Sequence, residues 1–171
     1  LDASGSARGA AALPNLAAHR LNEGITNISA LLEKSELVIL LTALGGGTGS
    51  GATAEIAAKS RESGSLVISI VGIPFAEQPL RCAIAEKALP PIERNSDLCI
   101  RVSLERLAWQ ARHRNSDWKL GSEWIGELIE GLVTTLARVG KMNLDLMDLR
   151  TVVGRPGNAT LIVGNGTTDD P

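Results

Sequence analysis

The stretch from Leu37 to Glu62 constrains the fold more than any other. Leu37-Val-Ile-Leu-Leu-Thr-Ala43 is a continuous apolar run of strand length, and Ala43-Leu-Gly-Gly-Gly-Thr-Gly-Ser-Gly-Ala52 follows directly. Such a run predicts a strand buried on both faces, the habit of parallel sheets. Ala52 to Glu62 then predicts a helix whose apolar side is Ala54, Ile56, Ala57 and Ala58, ended by Gly64. Strand, glycine loop and helix in that order predict an anion site. A helix start carries unpaired N–H groups and about half a unit of positive charge. Glycines remove the Cβ atoms that would hold an anion off the backbone. Thr48 and Ser50 add hydroxyl donors.

The same alternation continues along the chain. Asn15 to Leu32 has apolar residues at helical spacing, and Glu33 to Glu36 turns the chain. Leu66 to Ile73 predicts a second buried strand, which Pro74 breaks. Glu77 to Leu89 predicts a helix that Pro90 and Pro91 stop or kink. Leu98 to Val102 predicts a third strand, Gly121 to Ala137 a long amphipathic helix, and Ala159 to Val163 a last strand. Leu1 to Leu13 is Gly/Ala/Ser-rich and reads as a loop. Strands alternating with helices predict an α/β protein with a parallel, Rossmann-like sheet in three layers.

Composition excludes several classes. The 171 residues suit one sizeable core, and the net charge of -2 gives no basic footprint for nucleic acid. Arg106 to Lys119 is basic and interleaved with Trp109 and Trp118, but it is short, and it reads as a solvated connection with both Trp packed on the core. Cys82 and Cys99 stand in no metal or redox spacing and read as small buried hydrophobes in a reduced compartment. His19 and His113 have no metal spacing, so no metal ligands are expected from the protein. No apolar stretch is long enough to span a bilayer and no signal peptide is recognisable, so a cytoplasmic protein without direct membrane insertion is expected. The chain opens on Leu1, in the middle of a motif, and reads as a divergent or truncated paralogue or a fragment.

Three ligand classes compete for the glycine loop. A phosphate loop of the Walker type needs a Lys before its Ser/Thr, and this loop has none. Gly47-Thr-Gly49-Ser-Gly-Ala52 matches the dinucleotide pattern G-x-G-x-x-A. That pattern wants an acid at the end of the next strand, and Leu66 to Ile73 has none. An NAD(P) oxidoreductase therefore stays a remote alternative.

The third class is carried by a resemblance. Gly45-Gly-Gly-Thr-Gly-Ser-Gly51 resembles the signature loop of the tubulin/FtsZ family of GTPases, on its prokaryotic FtsZ side, and the order of elements agrees over nearly the whole chain. The resemblance implies that Gly45, Gly46, Gly47, Thr48, Gly49, Ser50 and Gly51 hold the phosphates of GTP or GDP, with Mg²⁺ carried by those phosphates. Gly9-Ala-Ala-Ala-Leu-Pro14 stands where the family has a second phosphate loop, usually G-A-G-x-N-P. Gly9, Ala10 and Pro14 match; Ala11 replaces Gly and Leu13 replaces Asn. Pro74-Phe-Ala-Glu77 and Arg81 are similar to the family's P-F-x-x-E segment with its following Arg, shortened by one position. By resemblance Glu77 faces the ribose and Arg81 the ribose or phosphates; by spacing alone the two would pair across one helical turn.

Asn143-Leu-Asp145-Leu-Met-Asp148-Leu-Arg-Thr-Val152 is similar to the family's N-x-D-x-x-D-x-R-T-V loop. The resemblance implies that Asp145 and Asp148, with Asn143, enter the nucleotide pocket of the next subunit in a head-to-tail homopolymer and orient the water that attacks the γ-phosphate. Read without it, Asn143, Asp145 and Asp148 suit a capped helix start. Residues 1–139 would then be part of a GTP-binding domain, including the central helix 121–137. Residues 140–171 would carry the catalytic loop and the start of the following domain.

The chain also departs from the family. The family's first strand and its G-G-x-G-x-N loop are not in it. Leu104 stands where guanine is usually read by an Asn, and Glu123 where it is read by an Asp. The expected function is an FtsZ-like GTPase of cell division or cell shape, with itself and division-machinery proteins as partners. The alternative is a divergent, non-catalytic member that binds nucleotide or modulates polymers.

Overall fold

The computed structural model describes residues 9–24, 26–113, 120–137 and 145–154. The chain divides into two compact units, Leu1–Arg106 and Leu107–Pro171.

In the first unit, α1 (Pro14–Gly24) and α2 (Thr26–Leu32) precede β1 (Leu37–Ala43), α3 (Gly47–Glu62), β2 (Leu66–Ile73), α4 (Pro79–Asn95) and β3 (Leu98–Ser103). The three strands form one parallel sheet in the order β1-β2-β3. Leu37 pairs with Leu66 and Ala43 with Gly72, while Gly72 also pairs with Val102 and Ile73 with Ser103. Two right-handed crossovers that advance in one direction put both connecting helices on one face. Accordingly α3 and α4 pack against each other, and α1 packs on α3. The core between α4 and the sheet is Leu44, Val71, Ala85, Ala88 and Ile92, with Ala54, Ile73, Leu89 and Cys99 at its margin. The small Ala85 and Ala88 let the helix approach the strands closely.

β2 shows the expected burial on both faces, because it is the middle strand. β1 does not: it is an edge among the described strands, and Leu41 is 57% exposed. The described residues of the helix expected over Asn15–Leu32 are helical, as α1 and α2, and Ile25 between them lies outside the described residues.

Pro90 and Pro91 neither stop nor break α4, which runs through them to Asn95. They deprive the carbonyls of Glu86 and Lys87 of intrahelical donors, but both residues are exposed and water can serve them. Beyond the prolines, burial of Ile92 holds the last turn against the core. Ser96 Oγ donates to the Ile92 carbonyl at 2.8 Å, and Arg61 donates to the Arg94 carbonyl at 2.7 Å. At the amino end of the sheet, Asp97 Oδ2 accepts the Val67 N–H at 2.8 Å, which fixes the entry into β3.

α5 (Leu104–His113) begins in the first unit and ends in the second. The second unit contains α6 (Leu120–Ala137) and α7 (Leu146–Val153). Trp109 is 56% exposed rather than packed on the core, and its ring lies 3.9 Å from that of His113. The spacing i, i+4 stacks the two rings along one side of α5, where His113 Nδ1 also lies 2.9 Å from the Trp109 carbonyl. Cys82 and Cys99 are free thiols and only partly buried. Trp118 and the strand expected at Ala159–Val163 lie outside the described residues. No helix among the described residues is long and apolar enough to cross a membrane.

Candidate functional site

The site forms where the carboxyl end of β1 meets the amino end of α3. Gly45 adopts a left-handed φ of +91°, which turns the chain out of the strand. Gly46 caps the helix with extended backbone and no side-chain hydrogen bond. The helix begins at Gly47, five residues earlier than the apolar pattern predicts, so most of the glycine stretch is its first turn. Glycine is a poor helix former, and here tertiary contacts decide the start. A Cβ on Gly49 would collide with the Ala43 carbonyl, and one on Gly51 with the Pro14 carbonyl. These two glycines seat α3 against β1 and α1.

Four N–H groups at a helix start have no intrahelical acceptor. Here they belong to Gly46, Gly47, Thr48 and Gly49, and none has a partner among the described residues. The space in front of Gly46 is open, and the first turn carries no acid. Thr48 Oγ1 accepts the Ala10 N–H at 3.4 Å, so its own hydroxyl hydrogen is left to donate. Ser50 does a different job. Its hydroxyl is buried and accepts the Gly45 N–H at 2.9 Å, so it holds the turn.

The front loop and the start of α4 flank this turn. A Cβ on Gly47 would meet the Ala10 carbonyl and the Leu13 nitrogen, each at 2.7 Å. Leu13 donates back to the Ala10 carbonyl at 2.7 Å, and Ala11 and Ala12 are both left-handed, with φ of 44° and 59°. On the other side Gly45 lies directly against the main chain of Arg81. Arg81 is exposed, and its guanidinium has no partner among the described residues. The structure therefore brings Gly9, Ala10, Gly45–Gly51 and Arg81 together. Glu77 is exposed in the turn before α4, where Gln78 donates to the Phe75 carbonyl at 3.0 Å. It does not pair with Arg81. The helix starts at Pro79, so the helical spacing that would bring the two together does not apply.

A helix start with four N–H groups unpaired among the described residues and a hydroxyl beside it has the features that accept an anion. Residues 3–110 match the Tubulin/FtsZ family, GTPase domain. The chain belongs to the Tubulin/FtsZ family. It is 34% identical over 165 residues to the cell division protein FtsZ of Haloferax mediterranei, covering 95% of this chain and 43% of that protein. It is 31% identical to the cell division protein FtsZ 1 of Archaeoglobus fulgidus, covering 95% of this chain and 45% of the relative. The mitochondrial division protein fszA of Dictyostelium discoideum is 29% identical over 161 residues, 92% of this chain and 31% of that protein. An empty FtsZ dimer from M. jannaschii superposes with a TM-score of 0.76 at 26% identity, covering 85% of this chain and 43% of that one. The chain thus spans less than half the length of these relatives. Membership of the family displaces the dinucleotide alternative.

Within the family frame, the remaining candidates belong to the second unit. Glu123 is exposed in the first turn of α6. Asp145 is the N-cap of α7 and Asp148 its third residue, in a reciprocal capping box. Asp145 Oδ1 accepts the Asp148 N–H at 2.8 Å, and Asp148 Oδ2 accepts the Asp145 N–H at 3.3 Å. Both carboxylates are exposed, and each keeps one oxygen outside the box. Asn143 lies outside the described residues. The sequence reading did not find the separate roles of Ser50, Gly49 and Gly51, because nothing in a run of small residues tells which face the helix buries.

Proposed function

We propose that this chain is part of an FtsZ-like GTPase, in which residues 1–139 belong to the GTP-binding domain and residues 140–171 carry the catalytic loop and the start of the next domain. The observation that carries the reading is the uncapped start of α3, set against Arg81 and the Ala10 loop. The N–H groups of Gly46, Gly47 and Thr48 take phosphate oxygens, and Arg81 neutralises charge beside them. Glu77 faces the ribose. Mg²⁺ would be carried by the nucleotide's phosphates and would offset their charge there.

Asp145 and Asp148, with Asn143, act in trans on the nucleotide of the next subunit in a head-to-tail polymer. Their outward oxygens orient the attacking water, and phosphoryl transfer needs little beyond positioning and charge stabilisation. The setting is cytoplasmic cell division or cell shape, with division-machinery proteins as further partners. The capping box favours a second reading, in which the same two carboxylates serve only the fold and the protein binds nucleotide without hydrolysing it.

GTP turnover against protein concentration separates the two. A trans-acting site gives a threshold and a specific activity that rises with assembly. The second reading gives nucleotide binding with no turnover at any concentration. Absence of both binding and turnover would remove the GTPase assignment for this chain altogether.

A further inference from the structure

The front loop closes on a strained turn. Leu13 donates to the Ala10 carbonyl across Ala11 and Ala12, whose φ values of 44° and 59° are both left-handed. Left-handed backbone at both central residues is the type I′ arrangement, which glycine and asparagine favour. In an alanine it brings Cβ too close to the following carbonyl oxygen, and each such residue is disfavoured by roughly tenfold. Ala11 and Ala12 are exposed, so the turn is held from its base. The base is Ala10, which is 4% exposed. Its carbonyl and the Leu13 nitrogen lie against Gly47, the first residue of α3. Its N–H reaches Thr48 Oγ1 at 3.4 Å. A hydroxyl oxygen that accepts from Ala10 must point its own hydrogen elsewhere, so the turn sets the direction in which Thr48 donates.

We infer that the Ala10–Leu13 turn, on the reading proposed above, positions the Thr48 hydroxyl for the phosphates, and that its two left-handed alanines hold down the affinity of the site. The strain shifts the turn towards relaxed conformations in which Ala10 leaves Thr48. Apparent affinity falls with the fraction of molecules that hold the competent turn. A phosphate chain that binds the competent turn more tightly shifts the population back to it. Glycine enters left-handed backbone about as readily as right-handed, so glycine at both central positions removes the strain.

The test is calorimetric titration of inorganic tripolyphosphate into the full chain and into a variant carrying Ala11→Gly and Ala12→Gly. The variant should bind roughly tenfold more tightly. Ala11→Asn with Ala12→Gly, a pair strongly preferred in such turns, should match it, because the gain comes from the backbone and not from an emptied side chain. With Thr48→Val in both chains, the glycine pair should change affinity by less than about twofold. Equal affinity in the wild type and both turn variants, whatever happens to the urea midpoint, would overturn the inference and leave the phosphate site standing. A full gain beside Thr48→Val would also overturn it, since the turn would then act without that hydroxyl. Failure of every chain to bind tripolyphosphate would overturn the phosphate site proposed above, and the inference with it.

Discussion

The Cα of Gly45 packs against the main chain of Arg81, so that a Cβ there would stand 2.8 Å from Arg81 Cβ and 2.9 Å from its carbonyl oxygen. The contact ties the glycine turn to the first turn of α4. It also explains why this glycine is needed twice over, since its φ of +91° is left-handed. Gly45→Ala should destabilise the protein by roughly 1–3 kcal/mol, from backbone strain and the displacement of a main-chain neighbour that cannot yield like a flexible side chain. Urea unfolding measures it. Gly46→Ala is the control: the space there is open, its φ of −105° suits any residue, and stability should change little.

Ser50 makes a second testable tie. Its buried hydroxyl accepts the Gly45 N–H, and in Ser50→Ala that donor is left buried without a partner. The expected loss is roughly 1–3 kcal/mol, the cost of an unsatisfied buried group. Thr48→Val should behave differently. Thr48 is partly exposed and its bond to Ala10 is long, so stability should fall little while phosphate affinity falls. Paired denaturation and tripolyphosphate-binding measurements distinguish a turn-holding hydroxyl from a ligand-facing one.

Much of this was legible in the residues. The apolar runs Leu37–Ala43 and Leu66–Ile73 correspond to β1 and β2 residue for residue, because continuous apolar runs of that length between turn residues leave few options. The glycine stretch marked a helix start for a local reason, and α3 does begin within it. What failed depended on tertiary context. The early start of α3 at Gly47 is imposed by contacts with Ala43 and Pro14, which no local propensity encodes. The survival of α4 through Pro90 and Pro91 rests on Ile92 being buried beyond them. The exposure of Leu41 follows from β1 being an edge, which a strand's own residues do not reveal.

Asp145 can be tested without confusing fold and chemistry. Asp145→Ala removes the N-cap of α7 and should cost roughly 1 kcal/mol as well as any catalytic role. Asp145→Asn keeps an oxygen to accept the Asp148 N–H, since Asn caps as well as Asp, but removes the charge. If the carboxylate orients water, Asp145→Asn should leave stability near wild type and abolish GTP turnover. Unchanged turnover in Asp145→Asn would assign this residue to the helix cap alone.

Pro90 and Pro91 offer a gain. A proline inside a helix costs about 3 kcal/mol against Ala, from the lost hydrogen bond and the clash with the preceding turn. α4 is helical on both sides of the pair, so Ala fits the same backbone. Pro90→Ala is the better choice because Pro90 is exposed while Pro91 is partly buried. It should raise stability by roughly 1–3 kcal/mol, less than the full propensity difference because the unfolded chain gains freedom. A lower midpoint in urea would mean that the helix needs its proline-distorted turn to seat Ile92.

Cys99 supplies a pH dependence. Burial pushes its thiol up to about 11, with Glu93 adding to the rise and Arg101 opposing it. Arg101 is occupied, since its guanidinium holds Glu93 through Nε at 2.8 Å and again through Nη2. In the unfolded chain Cys99 titrates near its ordinary value of 9.0. Between pH 9 and 11 the unfolded state therefore loses a proton that the folded state keeps. The unfolded state binds fewer protons in that window, so stability is fully present below pH 9 and falls as pH rises through 11. With Cys82→Ser as the background, alkylation of Cys99 by iodoacetamide should be slow at pH 9 and accelerate towards pH 11. Glu93→Gln should lower the thiol's pKa, by removing a negative neighbour and freeing Arg101, and so move the acceleration to lower pH. A shift the other way would show that the loosened Arg101 swings clear of the sulfur.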